Sequence, residues 1–292
     1  MSHPLHVVDV FTRQPYAGNQ LAVVTDAGDL ETAEMQAIAA EMDYSETTFV
    51  TGPPEAGAWP VRIFTPNAEI PFAGHPTLGT AAVVRDHLAD EGLETVTLDL
   101  DVGEVPVDVE SSDGDETLWM TQRHPGFGDH LDHAALADVL GLPADALDHD
   151  WPVQVVSTGL PTIVVPLVDR EALTAIDLDR AAYERVTGDR EAKNVLAFCP
   201  APRDDANDLA ARVFAPFYDV PEDPATGSSN GCLAAYLARH ECFGGPTVDV
   251  RVEQGYAMGR PSLLHLRAEA SGENVTVEVG GSVVPVVRGE LL

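Results

Sequence analysis

Lysine is almost absent from this chain: of its 16 basic residues, Lys193 is the only lysine. An enzyme that depends on pyridoxal phosphate needs a lysine for its Schiff base, so this cofactor could be held only at Lys193. Three cysteines, Cys199, Cys232 and Cys242, show no CxxC spacing, and their odd number argues against a disulfide framework. We interpret them as buried apolar thiols, while a catalytic Cys–His pair stays open.

Long hydrophobic runs and clustered metal ligands are also lacking. No apolar run approaches the roughly 18 residues that a membrane span requires, and the first residues, MSHPLHVVDVF, lack the basic region and apolar core of a signal peptide. We therefore expect a cytoplasmic protein. His124, His130 and His133 lie close together, but in an acidic loop, so we predict no metal site.

Positive charge is scarce, since 48 acidic residues face 16 basic ones and the formal net charge is −32. The acidic residues are spread over many surface-type segments and are not gathered in one tail. We interpret this as a solvated acidic surface that stays soluble in strong salt, as in halophilic proteins, and not as a site for a cationic partner. Nucleic acids and anionic membranes are poor partners for such a surface.

The chain contains an internal repeat. RIFTP at 62–66 recurs as RVFAP at 212–216, a shift of 212 − 62 = 150. HPTLGT at 75–80 recurs as DPATGS at 223–228, a shift of 223 − 75 = 148. A match of this length indicates a duplicated unit. We therefore predict two facing halves whose paired loop and helix elements bracket one small ligand.

Each half is predicted to contain short, mostly antiparallel strands with one central and one outer helix. Thr80 is the expected N-cap of the first central helix, and the second should run over residues 228–240. Asp29 is the expected cap of an outer helix over residues 30–42. Strands do not alternate strictly with helices and neither GxGxxG nor GxxxxGK[ST] occurs, so a Rossmann or P-loop fold is not predicted.

Three polar residues are the candidates for chemistry in the predicted cleft: Glu46, His75 and Asp223. Taken singly, each is more often a surface or turn residue. However, His75 and Asp223 occupy matching positions in the repeated sequence segments. A pseudo-twofold axis between the two copies would bring both residues to the cleft beside two helix N-termini. That environment suits a carboxylate and the negative charge that develops when a neighbouring proton is removed. Glu46 could then act as the general base if burial raises its pKa. Beside these three lie Asn19, Gly74, Gly227 and Ser228.

Five regions together resemble the PhzF-like isomerases of phenazine biosynthesis, which have a diaminopimelate epimerase-like fold. The regions are DVFT with GNQLAVV (9–12, 18–24), SETTFV (45–50), RIFTPNAEIPFAGHPTLGTA (62–81), EDPATGS (222–228) and EQGYAMGRPS (253–262). The resemblance implies an α+β fold of two pseudo-symmetric halves, each a β-barrel-like, mostly antiparallel sheet around a central helix, with the active site between the halves. It also implies that the last strand returns to the first half, so that the halves are residues 1–123 with 280–292 and residues 124–279. Homodimers are common in the family, and we expect one here.

The same resemblance implies cofactor-free proton transfer. Glu46 stands where the phenazine enzyme has a glutamate that moves a proton between carbons of a dihydro-hydroxyanthranilate, and His75 and Asp223 stand at the supporting polar positions. The expected contacts to a substrate are Asn19, Gly74, Thr80, Gly227 and Ser228. Related epimerases and proline racemases use two cysteines at the repeated turns, where this chain has other residues, so a two-thiol racemase is not expected.

We therefore predict a cofactor-independent isomerase that shifts a carbon-bound proton on a small carboxylate substrate. Two alternatives stay open at the level of sequence. One is a non-catalytic protein that binds small carboxylates in the same cleft. The other is an amino-acid epimerase of the same fold that uses other acid–base residues.

Overall fold

The computed structural model describes residues 2–89, 92–112, 114–272 and 274–292. Contacts divide the chain into two compact units, Met1–Thr121 with Gly280–Leu292 and Gln122–Val279. Among the helices in the described ranges, none has the length and apolar character needed to cross a membrane.

The first unit contains nine strands and two helices within its described residues. The strands are β1 (His3–Val10), β2 (Asn19–Val24), β3 (Thr47–Val50), β4 (Ala58–Phe64), β5 (Glu69–Ile70), β6 (Thr95–Leu100), β7 (Gly103–Ser112), β8 (Asp115–Thr121) and, from the end of the chain, β18 (Val283–Leu291). The helices are α1 (Thr32–Met42) and α2 (Gly74–His87).

One sheet joins these strands in the order β18–β1–β2–β3–β4–β6–β7–β8, and β5 pairs with β4. The β2–β3 and β4–β6 pairs are parallel and the other pairs are antiparallel. The sheet surrounds α2, which contacts seven of its strands. Every residue of α2 from Gly74 to Ala81 is buried. Gly79 permits this close fit, because a Cβ there would lie 2.6 Å from the side chain of Leu21.

Both helices of this unit begin at residues that differ from the prediction. Helix α2 begins at Gly74 after the N-cap Ala73, so Thr80 is not its cap but lies buried in its second turn. Pro76 fits the first turn because the N–H groups there have no intrahelical partner. Helix α1 is capped by Glu31 instead of Asp29. The Glu31 amide donates to the Glu34 carboxylate at 2.8 Å, which is one half of a capping box.

The second unit also contains nine strands, with four α-helices, in its described part. The strands are β9 (Gly126–Leu131), β10 (Val153–Ser157), β11 (Pro161–Pro166), β12 (Asn194–Cys199), β13 (Leu209–Ala215), β14 (Val220–Asp223), β15 (Thr247–Gln254), β16 (Ser262–Ser271) and β17 (Asn274–Gly281), the last of which ends just beyond the unit boundary. The helices are α3 (His133–Leu140), α4 (Arg170–Ala175), α5 (Arg180–Thr187) and α6 (Gly227–Arg239), and three short 3-10 turns lie at Ala144–Ala146, Pro216–Tyr218 and Tyr256–Met258.

The strand order of the first unit recurs in the second. Strands pair as β9–β10–β11–β12–β13–β15–β16, with β14 on β13. The β11–β12 and β13–β15 pairs are parallel, as β2–β3 and β4–β6 are in the first unit. Helix α6 takes the place of α2 and is rich in small residues, which lets it lie buried along nearly its whole length. The predicted α+β fold class, with mostly antiparallel sheets around central helices, is confirmed.

The matching positions of His75 and Asp223 are not confirmed. His75 is the second residue of α2, whereas Asp223 ends β14, four residues before α6 begins at Gly227. Counted from the helix starts, the residue equivalent to His75 is Ser228. The text match failed because the second copy is longer before its helix. Ten residues separate Arg212 from its partner Glu222, but seven separate Arg62 from its partner Glu69, whereas the step from the glutamate to the helix start is five residues in both copies.

Candidate active site

Glu46 and His75 meet in the first unit. Glu46 directly precedes β3, and its side chain is only 17% exposed. His75 lies in the first turn of α2 and is 6% exposed. The distance from His75 Nε2 to Glu46 Oε2 is 3.6 Å. Two of the three residues predicted to carry chemistry are therefore neighbours.

The strand hairpin β1–β2 holds both nitrogens of the imidazole. Nε2 of His75 lies 3.3 Å from the carbonyl oxygen of Gln20, and Nδ1 lies 3.4 Å from the side-chain nitrogen of Asn19. A carbonyl oxygen only accepts, so Nε2 carries the proton and donates it to Gln20. Nδ1 then accepts from the Asn19 amide. These two partners assign one neutral tautomer of His75.

Burial keeps this imidazole uncharged. Desolvation lowers the pKa of His75 from 6.5 to about 4, and the hydrogen bond to the Gln20 carbonyl opposes that shift only in part. The 3.6 Å approach to Glu46 satisfies the distance of an ion pair, but a neutral imidazole carries no charge. We therefore describe it as a polar contact that is too long for a good hydrogen bond.

This arrangement provides a carboxylate beside a neutral imidazole at the start of a helix. The first-turn amides of α2 at Gly74 and His75 lack intrahelical partners, and the helix dipole adds positive potential there. Such a site can bind a substrate carboxylate or a developing oxyanion while a nearby carboxylate exchanges a proton with carbon.

Asp223 belongs to a second hydrogen-bonded group in the second unit. Its carboxylate accepts from the hydroxyl of Thr226, the N-cap of α6. The Gln254 side chain donates to the Asp223 carbonyl at 2.7 Å and accepts from Asn230 at 2.8 Å. Gln254, which is 1% exposed, thus connects the Asp223 turn to α6. Gly227 and Ser228 are the first two residues of that helix.

Sequence reasoning missed Gln254 and Gln20. Gln254 lies in the EQGYAMGRPS segment that was quoted for the resemblance, and that match was the only signal available for it. Gln20 acts through its backbone carbonyl, so its residue type carries no signal. Thr80 was predicted to contact substrate, but it is fully buried and its hydroxyl pairs with that of Thr48 at 2.7 Å.

The other candidate chemistries find little support in side-chain environments. The Nζ of Lys193 donates to the carbonyls of Thr187 at 2.7 Å and Gly188 at 3.1 Å, so it closes the end of α5. Burial raises the pKa of the Cys199 thiol to about 11 and that of Cys242 to about 12. Across the described ranges, no group of three or more His, Cys, Asp or Glu residues could hold a metal ion.

Sequence comparisons with known proteins point to one family. The family model described as "Phenazine biosynthesis-like protein" (PhzC-PhzF) matches residues 8–289. The trans-2,3-dihydro-3-hydroxyanthranilate isomerase of Pseudomonas fluorescens is 37% identical over 294 residues, covering 99% of each chain.

Solved structures agree on the fold. A phenazine biosynthesis protein of the PhzF family from Bacillus anthracis superposes with a TM-score of 0.92 at 26% identity, covering 100% of this chain and 99% of that one. A probable proline racemase from Agrobacterium radiobacter K84, with bound carbonate, has a TM-score of 0.62 at 11% identity, covering 99% of this chain and 93% of the other. The second likeness concerns the fold alone.

Proposed function

This chain belongs to the phenazine biosynthesis-like (PhzC-PhzF) family and is an isomerase, and from that premise we propose that Glu46 moves a carbon-bound proton without a cofactor. The substrate class that we propose is a small cyclic carboxylate such as trans-2,3-dihydro-3-hydroxyanthranilate, which the named relative isomerises. The observation that carries the proposal is the contact between Glu46 and a buried, neutral His75 at the start of α2.

In the proposed mechanism, Glu46 removes a proton from the substrate carbon and returns it to another carbon of the same molecule. The first-turn amides of α2 stabilise the negative charge that develops meanwhile. Because His75 is neutral and its Nε2–H is bound to the Gln20 carbonyl, it places no positive charge beside Glu46 and does not lower the basicity of that carboxylate. The charge on Glu46 is restored at the end of each cycle, so no cofactor or external acid is consumed.

Further residues are assigned roles in the same proposal. Asp223 supports the reaction as a polar contact to substrate, and Thr226 and Gln254 hold it in place. Gly227 and Ser228, at the start of α6, bind the substrate carboxylate through backbone amide and hydroxyl groups. Asn19 acts on His75 instead of on substrate, since its side chain is 3% exposed and contacts Nδ1. Thr80 joins α2 to β3 and has no role in binding.

The test is deuterium incorporation in heavy water with trans-2,3-dihydro-3-hydroxyanthranilate. We expect wild type to exchange deuterium at carbon and to isomerise the substrate, and Glu46→Gln to lose roughly 10²- to 10⁴-fold in both rates. Glu55→Gln changes an exposed glutamate of the same unit and serves as the matched control. Full activity in Glu46→Gln would show that another residue moves the proton. Substrate binding without exchange in wild type would favour a non-catalytic binding protein, and inversion at a stereocentre would favour an epimerase.

The acidic composition motivates a separate proposal about habitat. With a formal net charge of −32, like charges repel across the folded surface, and salt screens that repulsion. We expect the unfolding midpoint in urea to rise steeply as potassium chloride is increased from 0.1 M to about 3 M. A midpoint independent of salt would contradict the interpretation that the protein is halophilic.

The homodimer and the cytoplasmic location stay predictions. Light scattering at high salt would measure the oligomeric state.

A further inference from the structure

Asp9 is a buried carboxylate that has no role in the proposed mechanism and is not among the proposed contacts to substrate. It lies on β1 with 2% of its surface exposed. Its Oδ2 accepts a hydrogen bond from the backbone N–H of Tyr16 at 2.6 Å. A carboxylate is costly to bury unless its charge is compensated by such bonds. The side chain at this position therefore has to supply a hydrogen-bond acceptor that reaches the loop between β1 and β2.

That loop has an unusual backbone. Phe11 has φ 64°, Tyr16 has φ 70° and Gly18 has φ 66°, so three residues within eight adopt the left-handed region. For residues with a side chain this region is strained and persists only where surrounding contacts enforce it. The strain at Tyr16 falls on the residue whose N–H Asp9 binds.

The loop ends at the two residues that hold the catalytic imidazole. Across the β1–β2 ladder, Val10 faces Asn19 and Asp9 faces Gln20. Asn19 donates to His75 Nδ1, and the Gln20 carbonyl accepts from His75 Nε2. Any change in the loop that shifts the start of β2 therefore moves both partners of the imidazole together.

We propose that Asp9 is a positioning residue that closes the strained Phe11–Gly18 loop and thereby holds Asn19 and Gln20 where they fix the tautomer of His75 beside Glu46. Asp9 touches neither substrate nor the reacting atoms. The inference rests on the proposed function for its kinetic consequence, but its structural consequence at His75 can be measured without any substrate.

The experiment combines ¹⁵N nuclear magnetic resonance with steady-state kinetics on the full chain. Protein labelled with ¹⁵N-histidine is examined at pH 7, and the His75 signals are assigned by their loss in His75→Asn. Wild type is expected to show a protonated Nε2 and an unprotonated Nδ1. Asp9→Leu removes the acceptor and should mix the two tautomers. Asp9→Asn keeps an acceptor oxygen and should restore the wild-type pattern.

The kinetic arm uses the same variants. A displacement near 1 Å at a catalytic group lowers turnover about 100-fold, so Asp9→Leu is expected to reduce kcat roughly 10- to 100-fold with little change in KM. Asp9→Asn should stay within roughly threefold of wild type, since a neutral acceptor retains about half the strength of a charged one. Asp9→Ser, whose side chain is shorter and adds no apolar bulk, should change kcat in the same direction as Asp9→Leu.

Val61→Ala is the matched control, because Val61 is 5% exposed on β4, a strand of the same unit that pairs with β3, β5 and β6. The proposal is overturned if Asp9→Leu and Asp9→Ser leave the His75 tautomer unchanged, or if Val61→Ala alters it equally. The proposed function fails independently, through undiminished activity of Glu46→Gln, and in that case the tautomer still decides the role of Asp9.

Discussion

His75 Nε2 lies 3.6 Å from Glu46 Oε2, yet it donates its proton to the carbonyl of Gln20 at 3.3 Å and not to that carboxylate. The imidazole is therefore held by the backbone carbonyl of Gln20, which agrees with the proposal that Glu46 is the group that takes a proton from carbon. A true ion pair would have the opposite effect, because a charged imidazole would lower the basicity of the carboxylate.

The first prediction concerns stability against pH. The pKa of His75 is about 4 in the folded chain, against an ordinary value of 6.5, so between these values the unfolded chain binds the extra proton. The unfolding free energy must therefore fall as pH decreases from about 6.5 to about 4, by roughly 3 kcal/mol from this residue. Below pH 4 both states are protonated and the contribution no longer changes.

Urea unfolding of wild type and His75→Asn at fixed salt, from pH 4 to pH 8, isolates this contribution. The variant lacks the titrating group, so its stability should fall less over the same interval. Parallel curves for the two proteins would mean that His75 does not titrate in this way.

The second prediction concerns Gly18, whose φ is +66° and at which a Cβ would lie 2.3 Å from the carbonyl oxygen of Val10. Gly18→Ala combines left-handed strain with a backbone clash and should cost about 2–4 kcal/mol. Gly272, with φ +65° and no atom within 4 Å of its Cβ position, is the control, and Gly272→Ala should cost about 1 kcal/mol. Equal losses in urea unfolding would show that the loop yields to the added methyl group.

The third prediction compares the arginines of the two repeated segments. Arg212 and Glu222 form a bidentate ion pair with hydrogen bonds of 3.0 and 2.7 Å, and their side chains are only 14% and 15% exposed. Arg62 and Glu69 form a similar pair at 2.7 and 2.7 Å that is 31% and 41% exposed.

Removing a buried partner leaves a charge without compensation, so Glu222→Gln should lower the unfolding free energy by roughly 3 kcal/mol. Glu69→Gln should lower it by less than about 1 kcal/mol, because water solvates the remaining charge. Each arginine keeps two further contacts, Arg212 with the carbonyls of Leu173 and Ile176 and Arg62 with Thr32 and Met35. Burial is therefore the main difference between the two variants, and similar losses would refute this explanation. Unfolding in urea at one salt concentration provides the measurement.

The fourth prediction concerns the thiols. Burial raises the pKa of Cys199 to about 11 and of Cys242 to about 12, and it also raises the pKa of Cys232. Since the thiolate is the reactive form, iodoacetamide at pH 8 should leave the mass and the activity of the native protein unchanged.

The same reagent in concentrated urea should alkylate all three cysteines, which controls for the reagent. Rapid alkylation of one native cysteine with loss of activity would instead favour catalysis by a thiol.

The sequence motifs predicted the fold class and identified Glu46 and His75 as candidate site residues. An internal repeat and a whole-chain resemblance can both be recognised in a single sequence. The motifs misplaced the start of α2, since Thr80 has a side chain typical of an N-cap but lies buried against Thr48. Cap preference describes a local choice, and burial in the centre of the sheet overrode it.

The equivalence of His75 and Asp223 failed for a different reason. The proline and glycine that align the two turns are turn-forming residues, and the three extra residues of the second copy lie between β13 and β14, where only the pairing of those strands locates them. The tautomer of His75 could not be predicted from the sequence either, because it depends on the backbone carbonyl of Gln20 and on the strand register that places Asn19 opposite Val10.

The pairing of β1 with β18 constrains how this protein is made. The ladder runs from His3 opposite Leu291 to Val10 opposite Val283, so one side of the first strand stays unpaired until residues 283–291 have been synthesised. An open strand edge can recruit other chains, and contacts between distant residues form slowly. The nascent chain therefore carries an unpaired strand edge until β18 has been made, and a protein without residues 283–291 would keep that edge exposed.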